Sequence, residues 1–115
     1  MTINVREREG VIILDIEGKI IGSDSLELKD VISEKIKSMP EGEVRLLLNL
    51  GKVPMMDSSG LGVVVAAYTS VQRKKGRIAL LNAGRNIRSL IVMAKLMTIF
   101  DRYDNEDEAI AALKE

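Results

Sequence analysis

VRLLLNLGKVPMMDSSGLG, residues 44 to 62, joins an almost wholly apolar run to an acid, two adjacent serines and two closely spaced glycines. Val44 to Leu50 has the length and uniformity of a central strand, and its C-terminal end delivers the chain to Asp57. Beyond Gly60 propensity is divided, because Val63-Val64-Val65 is β-branched and Gly62 weakens a helix. Spacing decides for helix: Leu61, Val64, Val65, Tyr68 and Val71 recur at intervals of three and four. Arg73, Lys74 and Lys75 then place cations in the last turn, and Gly76 reads as a C-cap. Asp57 is the predicted N-cap, Ser58 and Ser59 fall in the first turn, and Gly60 allows close packing.

The flanking sequence repeats this alternation. Ile3-Asn4-Val5 and Val11 to Ile16 read as two strands joined near Glu9-Gly10, the second too uniformly apolar to have a solvated face. From Asp24 to Met39, Leu28, Val31, Ile32, Ile36 and Met39 predict an amphipathic helix stopped by Pro40, with Ser23, Asp24 and Ser25 as candidate N-caps. Arg77 to Asn82 is a short strand, and Asn86 to Met97 a helix with Ile87, Leu90, Ile91, Ala94 and Met97 on one side. Val92, Met93 and Leu96 lie outside that stripe, which points to burial on several sides, a partner or dimer surface being the alternative. Ile99 to Tyr103 reads as a last strand, and Asp104 as the cap of a final helix through Ala109, Ile110 and Leu113. The expected architecture is a single small α/β sandwich over residues 1–115, a mixed, mostly parallel sheet with four helices.

Composition narrows the function. A chain of 115 residues has room for one core, and Lys+Arg and Asp+Glu are both 17, so no net field recruits nucleic acid and no direct DNA binding is expected. With one Phe and no Trp, stacking platforms for single strands are missing too. Cysteine is absent, and MTINVREREG carries charges where a signal peptide needs an apolar core. No apolar run approaches the roughly 20 residues of a membrane span. These features predict a cytoplasmic chain without membrane contact.

Zero histidines leave no base for a Ser-His-Asp arrangement, and G-x-S-x-G and the P-loop frame are missing. Gly60-Leu61-Gly62 has no third glycine at dinucleotide-loop spacing. Neither an enzyme nor a cofactor is expected. Asp101, Asp104, Glu106, Asp107 and Glu108 lack calcium-loop spacing and read as a solvated, acid-rich helix start, with no metal site. Arg73, Lys74, Lys75, Arg77, Arg85 and Arg88 read as a solvated face, an acidic partner being the alternative.

The serine in the first turn has one further capacity. Free N–H groups and the helix dipole there can support a phosphate of about −1.5 to −2 charge. Beside Asp57 such a phosphate turns the surface strongly anionic, and a partner packed on the neutral serine meets repulsion and a desolvation cost.

With VIILDIEGKI, VRLLLNL, VPMMDSSGLGVVVAAY and FDRYDNEDEAIAAL in view, the chain resembles the STAS domains, and among them the bacterial anti-sigma factor antagonists. The similarity covers nearly all of the chain. It implies a protein that, unphosphorylated, binds a serine kinase which is also the anti-sigma factor and so frees a sigma factor. Phosphorylation releases the kinase, and a PP2C-type phosphatase resets the cycle. The resemblance maps the phosphoacceptor to Ser58, gives Asp57 capping and kinase recognition, and makes Ser59, Gly60, Leu61 and Gly62 the rest of the motif. Many antagonists carry an aspartate in a G-x-[IL]-D pattern after the second strand. Here Gly18-Lys19-Ile20-Ile21 puts Ile21 in that place, so either Asp24 substitutes from a rearranged loop or the partner differs. A constitutive adaptor subunit of a transporter or sensory complex is the alternative, and a monomer or weak homodimer is expected.

Overall fold

The computed structural model describes residues 1–115. The elements follow in the order β1 (Thr2–Arg8), β2 (Val11–Glu17), α1 (Asp24–Ser38), β3 (Arg45–Lys52), α2 (Ser58–Arg73), β4 (Arg77–Leu81), α3 (Arg85–Met93), β5 (Asp101–Tyr103) and α4 (Glu106–Lys114). The sheet order is β1-β2-β3-β4-β5, with β1 antiparallel to β2 and every other pair parallel. This is the mixed, mostly parallel sheet with four helices that the sequence predicts.

Because side chains alternate along a strand, the apolar runs of β2 and β3 feed two cores at once. Leu14, Leu48 and Leu80 are paired across β2, β3 and β4 and face α1, α2 and α3, where Leu28, Ile32, Val64, Val71, Ile87 and Ile91 close the larger core. Ile13, Leu47 and Ala79, one residue earlier, face the other way and meet Ala109, Ile110 and Leu113 of α4. A strand covered on both faces has no solvated alternation to show, hence the uninterrupted apolar sequence.

On the α4 side the apolar layer gives way to an ionic one. Asp15 of β2 accepts hydrogen bonds from Arg6 (3.0 Å) and Asn49 (2.8 Å), and Arg6 reaches Glu106 of α4 at 2.6 Å. Arg8 adds Glu106 at 2.9 Å and also binds Asp107. The Arg6 guanidinium, as hydrogen-bond donor, is the main reason that the carboxyls of Asp15 and Glu106 are held below their usual range. The acid-rich start of α4 is thus tied to β1 and not merely solvated.

Three local expectations are corrected. α3 stops at Met93 and does not run to Met97: Lys95 takes a left-handed φ of 60°, and the Leu96 N–H returns to the Ile91 carbonyl at 2.9 Å. Val92 and Met93 are therefore exposed, 49% and 80%, where the apolar pattern suggested burial. At the end of α2 the left-handed residue is Lys75 (φ 56°) and not Gly76. Glycine is needed at 76 for another reason: a Cβ there would sit 2.6 Å from the Val44 carbonyl oxygen. The cap of α4 is Asn105, whose side chain accepts from the Glu108 N–H at 3.0 Å, and not Asp104. No helix is long and apolar enough to cross a membrane.

Candidate functional site

The segment between β3 and α2 is held from three directions before it reaches Ser58. Ile20 and Met56 form a parallel bridge, in which the Ile20 N–H donates to the Met55 carbonyl (3.0 Å) and the Asp57 N–H to the Ile20 carbonyl (3.2 Å). The Met56 N–H donates to the side-chain oxygen of Asn86, in the first turn of α3, at 2.8 Å. Asp57 completes the arrangement. One carboxylate oxygen accepts from the Ser59 and Gly60 N–H groups at 3.0 and 3.2 Å, capping α2, and the other accepts from the Gly22 N–H at 2.9 Å.

These backbone donors, Gly22 foremost and Gly60 next, hold the Asp57 carboxyl below the usual carboxylate range. The carboxylate is therefore anionic at neutral pH. Gly22 reaches it from a left-handed turn (φ 56°), a conformation that glycine adopts without steric cost.

Ser58 is the first residue of α2 and is exposed, as is Ser59. Gly60 faces inward: a Cβ there would lie 2.6 Å from Met56 Cγ, 2.9 Å from Ile20 Cγ2 and 3.1 Å from the Ile20 carbonyl oxygen. Leu61 is buried in the larger core and anchors the first turn. Gly62 is exposed with open space where a side chain would go, so nothing in the packing demands glycine there. Asp24 opens α1 two residues after Gly22, half-buried, and its side chain makes no hydrogen bond or ion pair. Leu26 in the next positions of α1 and Met55 before Asp57 are apolar and exposed, 60% and 45%.

The sequence places the Asp57 cap and Ser58 in the first turn of α2 as observed, but gives no sign of Gly22, Ile20 and Asn86, which fix their position. The cations separate into working and unengaged groups. Lys74 donates to the carbonyls of Ile36 (2.9 Å) and Met39 (2.6 Å), closing the end of α1, and Arg77 donates to the Glu115 carbonyl at 3.0 Å. Arg85 and Arg88 form no ion pair. No group of three or more His, Cys, Asp or Glu side chains is placed to hold a metal ion.

A five-stranded mixed sheet with an aspartate-capped Ser-Ser-Gly helix start defines a small α/β sandwich of one recognisable kind. The family model of the STAS domain matches residues 2–109, and the chain belongs to that family. It is 28% identical over 114 residues to an anti-sigma F factor antagonist of Paenibacillus polymyxa, covering 99% of this chain and 96% of the relative. Its fold matches that of an anti-sigma factor antagonist from Mycobacterium paratuberculosis with a TM-score of 0.86 at 24% identity, over 99% of this chain and 94% of the other. It also matches the Bacillus cell fate determinant SpoIIAA in its phosphorylated form, with a TM-score of 0.74 at 22% identity over 96% and 98% of the two chains.

Proposed function

We propose that the protein is an anti-sigma factor antagonist switched at Ser58. Unphosphorylated, it binds a serine kinase that is also the anti-sigma factor, and a sigma factor is released. Phosphate on Ser58 ends that binding, and a PP2C-type phosphatase restores it. The observation that carries the reading is the exposure of Ser58 on a helix start held by the Asp57 carboxylate and by the bond from Met56 to Asn86. A kinase reaches the hydroxyl without opening the fold, and the serine occupies a fixed place in the surface a partner reads.

The mechanism is electrostatic. Asp57 is already anionic and takes up the Ser59 and Gly60 N–H groups of the first turn, so these donors, which the sequence offered as support for a phosphate, are not left to neutralise one. Two adjacent negative groups then replace a small neutral hydroxyl, and a surface complementary to the serine loses contact area while it must desolvate charge. Asp57 sets the backbone from which the serine projects and shares in recognition, Ser59 and Gly60 shape the turn, and Asp24, at the start of α1, substitutes for the acid whose place Ile21 takes. SpoIIAA, similar in fold, exists in a phosphorylated form, which supports modification without loss of this architecture.

Binding of the kinase to two variants tests the proposal. Ser58→Ala is expected to retain the complex in the presence of ATP, and Ser58→Asp to weaken it about a hundredfold, the effect of placing an unpaired charge in an interface. Equal binding by both variants, with ATP without effect on the wild type, assigns the chain to a constitutive adaptor instead.

A further inference from the structure

The end of α3 and the turn after it expose Val92, Met93 and Met97, and the outer face of the helix carries charge of one sign. Ile87 and Ile91 bury the inner face of the helix. Arg85, Arg88, Ser89 and Val92, spaced at three and four, form an outward stripe, and Met93 lies one turn from Ser89 beside it. Val92, Met93 and Met97 are 49%, 80% and 48% exposed. From Ala83 to Phe100 the charged residues are Arg85, Arg88 and Lys95, all exposed, with no acid among them. None of the three has a carboxylate partner, although Asp101 and Asp104 line a cleft with Arg88. In a chain of zero net charge this is a locally cationic ridge ending in flexible thioethers, which adapt to an apolar partner.

We propose that this ridge docks an acidic, apolar-faced helix belonging to the same kinase that reads Ser58. The inference rests on the antagonist reading and extends it to a second contact. Two observations direct it. The first is charge: carboxylates opposite Arg85, Arg88 and Lys95 complement the ridge, whereas a second copy of this chain would set like charges against each other. A lipid surface fits less well, since membrane-lying helices use larger apolar side chains such as Trp, Phe and Leu, and this face offers Val and Met.

The second is continuity. The Asn86 side chain holds the Met56 N–H, so the first turn of α3 is bonded to the segment that carries Ser58. A nine-residue helix is about 13 Å long. A standard interface covers about 800 Å² on each partner, a patch broader than this helix is long. The ridge supplies phosphorylation-independent affinity and selects the partner by charge, while Ser58 supplies the switch.

The test measures binding of the purified serine kinase from the same cell to wild type, Met93→Asp, Arg88→Glu and Ser58→Asp. Met93 and Arg88 are exposed, so circular dichroism and thermal midpoints are expected to match wild type. The proposal expects Met93→Asp to weaken binding about tenfold or more. Arg88→Glu is expected to weaken it about tenfold at low salt, chiefly through a slower association rate, a difference from wild type that added salt narrows. Loss of binding in Ser58→Asp with both ridge variants within about twofold of wild type overturns the ridge and leaves the antagonist reading standing. No binding by wild type overturns both. Co-sedimentation of wild type, but not Met93→Asp, with phosphatidylserine vesicles reassigns the ridge to lipid, and concentration-dependent dimerisation lost in Met93→Asp reassigns it to a second copy. Either result overturns the proposal.

Discussion

Asp57 accepts the backbone N–H of Gly22 at 2.9 Å, so the carboxylate that caps α2 also fastens the loop leading into α1. Two surfaces 35 residues apart in sequence share one side chain, and Ser58 projects from the joint. Asp57→Ala is therefore expected to release the β2–α1 loop as well as fray the first turn of α2. Amide hydrogen exchange at Gly22, Ser59 and Gly60 checks this: all three amides should lose protection in the variant. Loss at Ser59 and Gly60 alone would mean that the loop is held by Ile20 without Asp57.

Gly60 and Gly76 are both required by close approach, and their substitution separates stability from function. Alanine at 76 meets the Val44 backbone at 2.6 Å, and Gly76→Ala is expected to cost about 2–3 kcal/mol in urea unfolding. The variant still presents Ser58 normally in its folded fraction. At Gly60 the near atoms are side chains of Met56 and Ile20 plus the Ile20 carbonyl, and alanine also gains helix propensity of about 1 kcal/mol. A net loss of about 1–2 kcal/mol is expected. The variant should also be phosphorylated more slowly than wild type, because the start of α2 is what shifts. Kinase assays on the two folded proteins compare them directly.

Acid sensitivity follows from the Arg6 network. Asp15 and Glu106 have folded pKa values below their unfolded ones, about 3.9 and 4.3, chiefly through the Arg6 hydrogen bonds. Their contribution is complete above the unfolded values and is lost as pH falls through the lower folded values. Urea unfolding from pH 7 down to pH 3 should show this decline. Arg6→Met should be less stable at neutral pH by about 1 kcal/mol, the partial exposure of the pairs limiting the effect, and should lose less than wild type on acidification. A wild-type curve that stays flat to pH 3 would contradict the assignment.

Asn86 reaches Met56 from the first turn of α3, 30 residues away, and is the polar link between that helix and the serine segment. Asn86→Leu leaves the Met56 N–H without its acceptor, at about 1–3 kcal/mol for a buried donor and less where water enters. NMR shift changes are expected at Met56, Asp57 and Ser58 in addition to α3. Changes confined to α3 would show that the link does not position the site.

What could be read from the sequence was what neighbouring residues decide among themselves. The helix of α2 follows from apolar spacing, and the Asp57 cap from an acid two and three residues before the amides it accepts. The unbroken apolar runs of β2 and β3 announced burial on both faces. Asp15 within VIILDIE was a signal that went unread, a carboxylate that a buried strand could carry only with partners. The unread contacts are those between distant segments: Gly22 with Asp57, Asn86 with Met56, and Arg6 with Glu106 at a separation of 100 residues. No spacing rule encodes which loop arrives beside which. The end of α3 was missed because Lys95 takes a left-handed conformation that its residue type does not advertise.

The most direct test of the antagonist proposal maps phosphate on this protein, by mass spectrometry, after mixing with the candidate serine kinase, before and after ATP, while following release of any complex. The account predicts phosphate confined to Ser58 and dissociation in step with its appearance. Phosphate on Ser59 or elsewhere with Ser58 unmodified, or a complex that persists after Ser58 is fully phosphorylated, would contradict it.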